Sequence, residues 1–149
     1  MAHARDSAAA LLAIAFPTDA KHPANLPTCR TLLPHVDALT RRHAPDHDTA
    51  HTARALDRAA SYRQWQGGLA PAVLGFQRAV TARERASGPD HPDTLDSRNN
   101  LAGTYESAGD LGRAIPLYER TLADAERVLS PGHPLIAAVR VGLERARST

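Results

Sequence analysis

A segment that recurs after 42 residues is the feature that most constrains the fold of this chain. Pro89-Asp90-His91-Pro92 returns as Pro131-Gly132-His133-Pro134, and residues 72–78 (AVLGFQR) match residues 114–120 (AIPLYER) at the same offset. A looser copy, Pro45-Asp46-His47, lies 44 residues upstream of the first of these segments. An internal period of roughly 20–50 residues is the signature of stacked structural repeats. The sequence therefore predicts a repeat protein.

Each repeat is predicted to be a helical hairpin. On both sides of Gly109-Asp110, apolar residues recur three and four positions apart, which is the spacing of one helix face. Pro92 suits the first turn of a helix, where its missing N–H costs nothing. Glycine favours the left-handed conformation that ends a helix, and aspartate caps the next one. We expect helices at about 92–108 and 111–129, whose apolar faces are buried only when hairpins stack.

The preceding repeat follows the same plan less regularly. Its helices are predicted at 49–66 and 69–85, joined at Gly67-Gly68. Tyr62 lies 43 residues before Tyr105, one more than the period. This offset predicts one extra residue before the turn.

The two ends of the chain differ from the repeats. Helices are predicted at 6–16 and 28–42, separated by a proline-rich loop, and these would cover the N-terminal end of the stack. The last helix, 134–147, has a polar outer side, as the end of a solenoid requires. The prediction is an all-α protein, a short right-handed α-solenoid of about seven helices. Its parts are an N-terminal helical pair (1–45), two repeats (46–88 and 89–132) and a capping helix (133–149).

Composition and charge narrow the function. The formal net charge is +2 and basic residues are not clustered, so a nucleic-acid partner is not expected. The single cysteine, Cys29, can form no disulfide within the chain and is predicted to be buried. The apolar run at 8–16 is too short for a membrane span. Ala13-Ile14-Ala15 looks like a signal cleavage site, but the run is short and alanine-rich and follows Asp6, so a secretory signal is not expected. A cytoplasmic protein is expected.

The sequence contains no convincing catalytic or metal-binding constellation. His43, His47 and His51 are four residues apart, but Pro45 and Asp46 interrupt any helix that would align them. The carboxylates at 90, 93 and 96 lie at a helix start, where the helix dipole favours negative charge. No phosphate-binding G-x-x-x-x-G-K-[ST] motif is present. We therefore predict neither an enzyme, nor a metal, nor a cofactor, and a helical-repeat enzyme or small-molecule binder is the weaker alternative.

The residues of the second repeat resemble a known family. His91-Pro92-Asp93-Thr94-Leu95, then Asn99-Asn100-Leu101-Ala102, Tyr105 and Gly109-Asp110, are similar to the tetratricopeptide repeat of kinesin-light-chain type, whose period is 42 residues. The resemblance is fullest over 89–134. It implies a non-catalytic module that binds a protein or peptide segment in a concave groove.

The same resemblance implies which residues line that groove. Asn100 looks like the asparagine of peptide-clamping members, although one of Asn99 and Asn100 could instead bond the adjacent helix. On a 43-residue offset, the preceding repeat has Leu56 and Asp57 at these positions. Trp65 either packs at the end of its hairpin or is an exposed anchor for the partner. The predicted groove residues are Asp96, Asn99, Asn100, Gly103, Glu106 and Ser107.

The N-terminal stretch carries a second resemblance. Residues 7–12 (SAAALL) and 29–36 (CRTLLPHV) are similar to the segment that precedes the C-terminal repeats of actinobacterial signal-transducing ATPases. This implies a regulatory sensor that reports to an ATPase or to the transcription apparatus. A third hypothesis is a scaffold that associates with itself as a homodimer, since a stack this short leaves apolar end faces to cover.

Overall fold

The computed structural model describes residues 2–149, and its regular structure is entirely helical within that range. This confirms the predicted all-α solenoid and the number of long helices. Two single-turn 3₁₀ segments, Pro23–Asn25 and Pro45–His47, lie in the loops on either side of the second helix. The helices are α1 (Ala2–Ala15), α2 (Leu26–Arg41), α3 (Ala50–Trp65), α4 (Leu69–Ser87), α5 (Pro92–Ser107), α6 (Leu111–Val128) and α7 (Pro134–Ser148).

Histidine and proline set the start of a helix in both copies of the recurring segment. His91 and His133 each accept a hydrogen bond at Nδ1, from the backbone N–H two residues later, at 3.1 Å. The prolines that follow occupy the first helical position of α5 and α7. The histidine therefore acts as the N-cap, a role more often filled by serine, threonine or aspartate.

The helices stack in chain order. The hairpins α3–α4 and α5–α6 are each closed by a glycine with positive φ, Gly67 and Gly109. The α4 helix also packs against α5, and α6 packs against α7, so that each hairpin buries its apolar face against the next. The core of the second repeat is built around Phe76, Leu95 and Tyr118. Cys29 is buried in the core of the first half, as predicted.

The 42-residue period holds through the whole of both hairpins. The helices α3 and α5 begin and end 42 residues apart, and so do their terminating glycines. The expected extra residue near Tyr62 is therefore wrong, since Tyr62 is the structural equivalent of Thr104. It follows that Asp57 and Arg58 are the equivalents of Asn99 and Asn100. Aligning Tyr62 with Tyr105 gave the wrong offset, because the register is set by the turn glycines Gly67 and Gly109, which adopt a positive φ.

Ion pairs between neighbouring hairpins follow the same period. Arg98 of α5 donates to Glu84 of α4 at 2.6 Å, and Arg140 of α7 donates to Glu126 of α6 at the same distance. Arg98 is only 1% exposed and is also bonded to Asp124 at 3.0 Å, so its buried charge is compensated on both sides.

The two ends of the stack differ in polarity. On α7, the outward side is mostly polar, as predicted, with Val141 as its one large exposed apolar residue at 57%. The exposed polar residues predicted for this helix are Arg140, Glu144, Arg145 and Arg147. At the other end, α1 and α2 pack on each other and on α3. There Leu11 and Ile14 of α1 remain 68% and 76% exposed.

Candidate functional site

A groove lies between α3, α5 and the loop that follows α1, and we call it the α3–α5 groove. It consists of two adjacent cavities, of about 380 and 180 Å³, that share Ser61 and Asn100. The larger is also lined by Lys21, Gln64, Trp65 and Ser107. The smaller is also lined by Thr18, Arg54, Asp57, Arg58, Arg83 and Asp96.

Three of the six groove residues inferred from the family resemblance line these cavities. They are Asp96, Asn100 and Ser107, and Asn100 lies where the two cavities meet. Asn99, half-buried on the same helix, lines neither cavity. Gly103 lies where a Cβ would come within 3.3 Å of the Tyr118 hydroxyl, so its contact is with α6.

Glu106 is engaged within the protein. Its carboxylate accepts hydrogen bonds from the Tyr118 hydroxyl at 2.9 Å and from the Arg145 guanidinium at 2.8 Å. The hydrogen bonds from Arg145, with that from Tyr118, hold the pKa of Glu106 below its usual range, although burial opposes them. The side chain is 12% exposed. Glu106 therefore ties α5 to α6 and α7.

Trp65 lies at the groove and outside the core. The residue is 53% exposed, and the Lys21 ammonium lies 5.4 Å from its ring centroid, in the range of a cation–π contact. The indole thus presents apolar surface beside Asn100 and Ser107.

The α3 wall of the groove was missed from the sequence. Its residues Arg54, Asp57, Arg58, Ser61 and Gln64 precede Asp96, Asn99, Asn100, Gly103 and Glu106 by 42 residues each. Subtracting 42 from the numbers of the predicted groove residues would have found all five. It would also have shown that Trp65 is the equivalent of Ser107 in the preceding repeat. The 43-residue offset taken from the tyrosines concealed this correspondence.

The groove carries uncompensated positive charge. Lys21, Arg54 and Arg58 have no carboxylate within 4 Å in the described part of the chain. Arg58 donates to the carbonyl of Phe16 at 3.0 Å. Burial, together with the charge of Arg54, lowers the pKa of Arg58. Asp96 is the one acidic lining residue without a basic partner among residues 2–149, so positive charge predominates.

Beneath the smaller cavity, Asp57 joins three helices. Its Oδ2 accepts from Ser97 Oγ of α5 at 2.8 Å and from Arg83 Nε of α4 at 3.0 Å. Its Oδ1 is buried without a hydrogen-bond partner. Burial raises the pKa of Asp57 to about 6, and the nearby Arg83 only partly offsets this. This network fixes the spacing of the helices below the groove.

Other chemistry considered from the sequence is not assembled. Within residues 2–149, no group of three or more His, Cys, Asp or Glu side chains is arranged to hold a metal ion. Two of the three acidic residues at the start of α5 are used in ion pairs, with Asp90 bound by Arg127 at 2.7 Å and Asp93 facing Arg83 at 3.5 Å. No helix over the same range is long and apolar enough to cross a bilayer.

Comparison with known proteins places the repeats in context. Residues 48–127 match the family model described as tetratricopeptide repeat. The chain is 42% identical over 59 residues to Protein KINESIN LIGHT CHAIN-RELATED 2 of Arabidopsis thaliana, which is 40% of this chain and 9% of that protein. It is 41% identical over 54 residues to Nephrocystin-3 of Xenopus laevis, which is 36% of this chain and 4% of that protein. The chain thus spans less than a tenth of the length of these curated relatives.

The fold has a solved counterpart. A Podosopora anserina crystal structure of nearly identical TPR-like repeats, of kinesin-light-chain type, superimposes with a TM-score of 0.64 at 19% identity. The match covers 99% of this chain and 76% of that one. At this identity the likeness concerns the architecture alone, which is that of stacked helical hairpins.

Proposed function

Since the chain belongs to the tetratricopeptide repeat family, whose repeats typically mediate protein–protein interaction, we propose that it is a non-catalytic module that holds an extended segment of a partner protein in the α3–α5 groove. The observation that carries this proposal is the position of Asn100, where two cavities lined by equivalent positions of successive repeats meet.

Asn100 is suited to gripping a polypeptide backbone. Its side-chain amide offers two N–H donors and a carbonyl acceptor, which can pair with a peptide group whatever the ligand's side chains are. The amide is half-buried and makes no hydrogen bond to another residue of the described chain. It is therefore available to a ligand at no cost to the fold.

The lining favours an acidic segment with an apolar residue. Lys21, Arg54 and Arg58 supply positive charge that no carboxylate within 4 Å neutralises among residues 2–149, and a ligand carboxylate would do so. Trp65 offers an apolar face that a leucine or aromatic side chain could cover. Binding of this kind weakens as ionic strength rises, because the charges are solvent-accessible.

Fluorescence anisotropy with labelled peptides tests the proposal. The probes are acidic peptides chosen by affinity selection from a random peptide library, with a matched set in which lysine replaces each Glu and Asp. We expect Asn100→Ala, Trp65→Ala and Arg54→Ala each to weaken binding by about 1–2 kcal/mol, roughly five- to thirtyfold. Arg120→Ala, which removes an exposed arginine outside the groove, is the control. Selection of no acidic consensus, or wild-type affinity in Asn100→Ala, would contradict the assignment.

The proposed cellular role is that of a cytoplasmic adaptor or regulatory sensor. Its support is the similarity of residues 7–12 and 29–36 to the segment before the repeats of actinobacterial signal-transducing ATPases. A gene for an ATPase or a transcription factor beside this one, and co-purification of the two products, is the expected result. Co-purification that survives Asn100→Ala with Trp65→Ala would place the contact outside the groove.

A further inference from the structure

The N-terminal end of the stack has an apolar crevice, whereas no comparable crevice is found on the mostly polar outer side of α7 in the described chain. The crevice lies between α1 and α2 and measures about 550 Å³. We call it the α1–α2 crevice. Its apolar lining consists of Ala4, Ala8, Leu11 and Leu12 of α1 and Ala38 and Leu39 of α2.

The shape of the crevice suits a helix. Its lining residues recur three and four positions apart on both walls, so the crevice follows the length of two neighbouring helices. Alanine at positions 4, 8 and 38 allows a third helix to approach closely. Elsewhere in the stack a helix packs against two others in this way, since α4 contacts both α3 and α5. The crevice is thus a helix-binding groove that no helix of the described chain fills.

The rim of the crevice specifies the charge of the occupant. It is formed by Arg5, His35, Arg42 and His43, and no acidic residue lines it. Arg5 donates to the backbone carbonyl of His47 at 3.0 Å, so its charge is not neutralised. Arg42 has no carboxylate within 4 Å in the region that the structure describes.

We propose that the α1–α2 crevice binds an amphipathic helix of a partner protein whose apolar face is bordered by Asp and Glu. Leucine side chains of such a helix would cover Leu11 and Leu39, and its carboxylates would pair with the basic rim. A second copy of this chain fits less well, because two crevices placed face to face would oppose Arg5 and Arg42 of one copy to the same two arginines of the other.

The proposal is tested with a designed peptide pair on the full chain. One labelled, N-acetylated peptide of about 18 residues carries Leu and Ala at three- and four-residue spacing with Glu along both borders, and its counterpart carries Lys in place of Glu. Anisotropy should show the Glu peptide binding at least about tenfold tighter. Leu11→Ser should weaken that binding by about tenfold or more. Leu74→Ser is the matched control, since Leu74 is 67% exposed on α4, outside the crevice.

Charge reversal and oligomeric state complete the test. Arg42→Glu takes the formal charge of the rim from +2 to 0 and should remove most of the preference for the Glu peptide, and Asn100→Ala should leave both affinities unchanged. Failure of both peptides to bind, equal affinity for the two, or an equal loss in Leu74→Ser would overturn the proposal. It would also be overturned if light scattering showed a wild-type dimer that Leu11→Ser dissociates, since a second copy would then cover the crevice.

Discussion

Gly142 of α7 is the glycine at which adding one methyl group should destabilise the protein most. A Cβ built there lies 2.6, 2.7 and 2.9 Å from Cε1, Cζ and the hydroxyl of Tyr118, well inside ordinary van der Waals contact. The Tyr118 ring is 1% exposed, and its hydroxyl is held by Glu106 at 2.9 Å. The ring therefore cannot turn away, and α7 itself must shift by about 1 Å to relieve the overlap.

The expected magnitude follows from two opposing contributions. Overpacking a buried site costs about 1–3 kcal/mol, and three simultaneous overlaps with a rigid ring place Gly142→Ala near the upper limit. Alanine gains about 1 kcal/mol over glycine in a helix interior. The net expectation is a loss of about 2 kcal/mol in the free energy of unfolding, or a Tm lower by about 4–8 °C for a chain of this size.

Thermal and urea denaturation followed by circular dichroism measure this loss. The matched control is Gly112→Ala in the first turn of α6, where the nearest heavy atom to the added Cβ is 3.8 Å away, and where we expect no loss of stability. In a Tyr118→Leu background the overlap disappears, so Gly142→Ala should become neutral or stabilising. The reasoning fails if Gly142→Ala is as stable as the wild type, or if its cost is the same in both backgrounds.

Two further predictions concern buried charge. Arg98→Ala should cost about 2–3 kcal/mol because it removes a buried guanidinium that bonds Glu84 and Asp124, although Asp124 keeps its ion pair with Arg127. Arg140→Ala, its exposed equivalent one repeat later, should cost less than about 1 kcal/mol in the same urea melts. The pKa of Asp57 is raised from 3.8 to about 6 in the folded protein. The folded state therefore holds this proton more tightly than the unfolded chain does, and the free energy of unfolding falls as pH rises from about 4 through 6. Relative to Asp57→Asn, the wild type should lose up to about 3 kcal/mol between pH 4 and 7, and a constant difference across this range would show that the pKa is not raised.

The helices and their order could be predicted because short-range signals specify them. His91-Pro92 and His133-Pro134 mark the starts of α5 and α7, because the histidine caps the helix and the proline fits its first turn. Gly109 marks the end of α5, because glycine readily adopts a positive φ. Stacking then follows from amphipathic faces that have no other way to be buried.

The α3 wall of the groove could have been found from the 42-residue period, whereas the N-terminal crevice depends on long-range contacts that no local pattern specifies. Whether Leu11 is buried depends on how much of α1 is covered by α2. The apolar periodicity of α1 would be the same whether Leu11 were buried or exposed. Glu106 was placed in the groove by the resemblance, but Arg145, distant in sequence and on another helix, draws it into an internal ion pair. Pairing partners of this kind become visible only when the helices are in place.

The same contacts explain why the groove ends at α5 and does not continue to α7. At the α5–α7 junction, Glu106 and Arg145 form an ion pair across the two helices, and the Tyr118 hydroxyl closes the gap beneath it. One period earlier, at the α3–α5 junction, the equivalents of Glu106 and Arg145 are Gln64 and Gly103, which cannot pair, and the equivalent of Tyr118 is Phe76, which has no hydroxyl. The first junction is therefore open and the second is closed. Under the proposed function, a partner segment would therefore lie against α3 and α5 and would not extend onto α7.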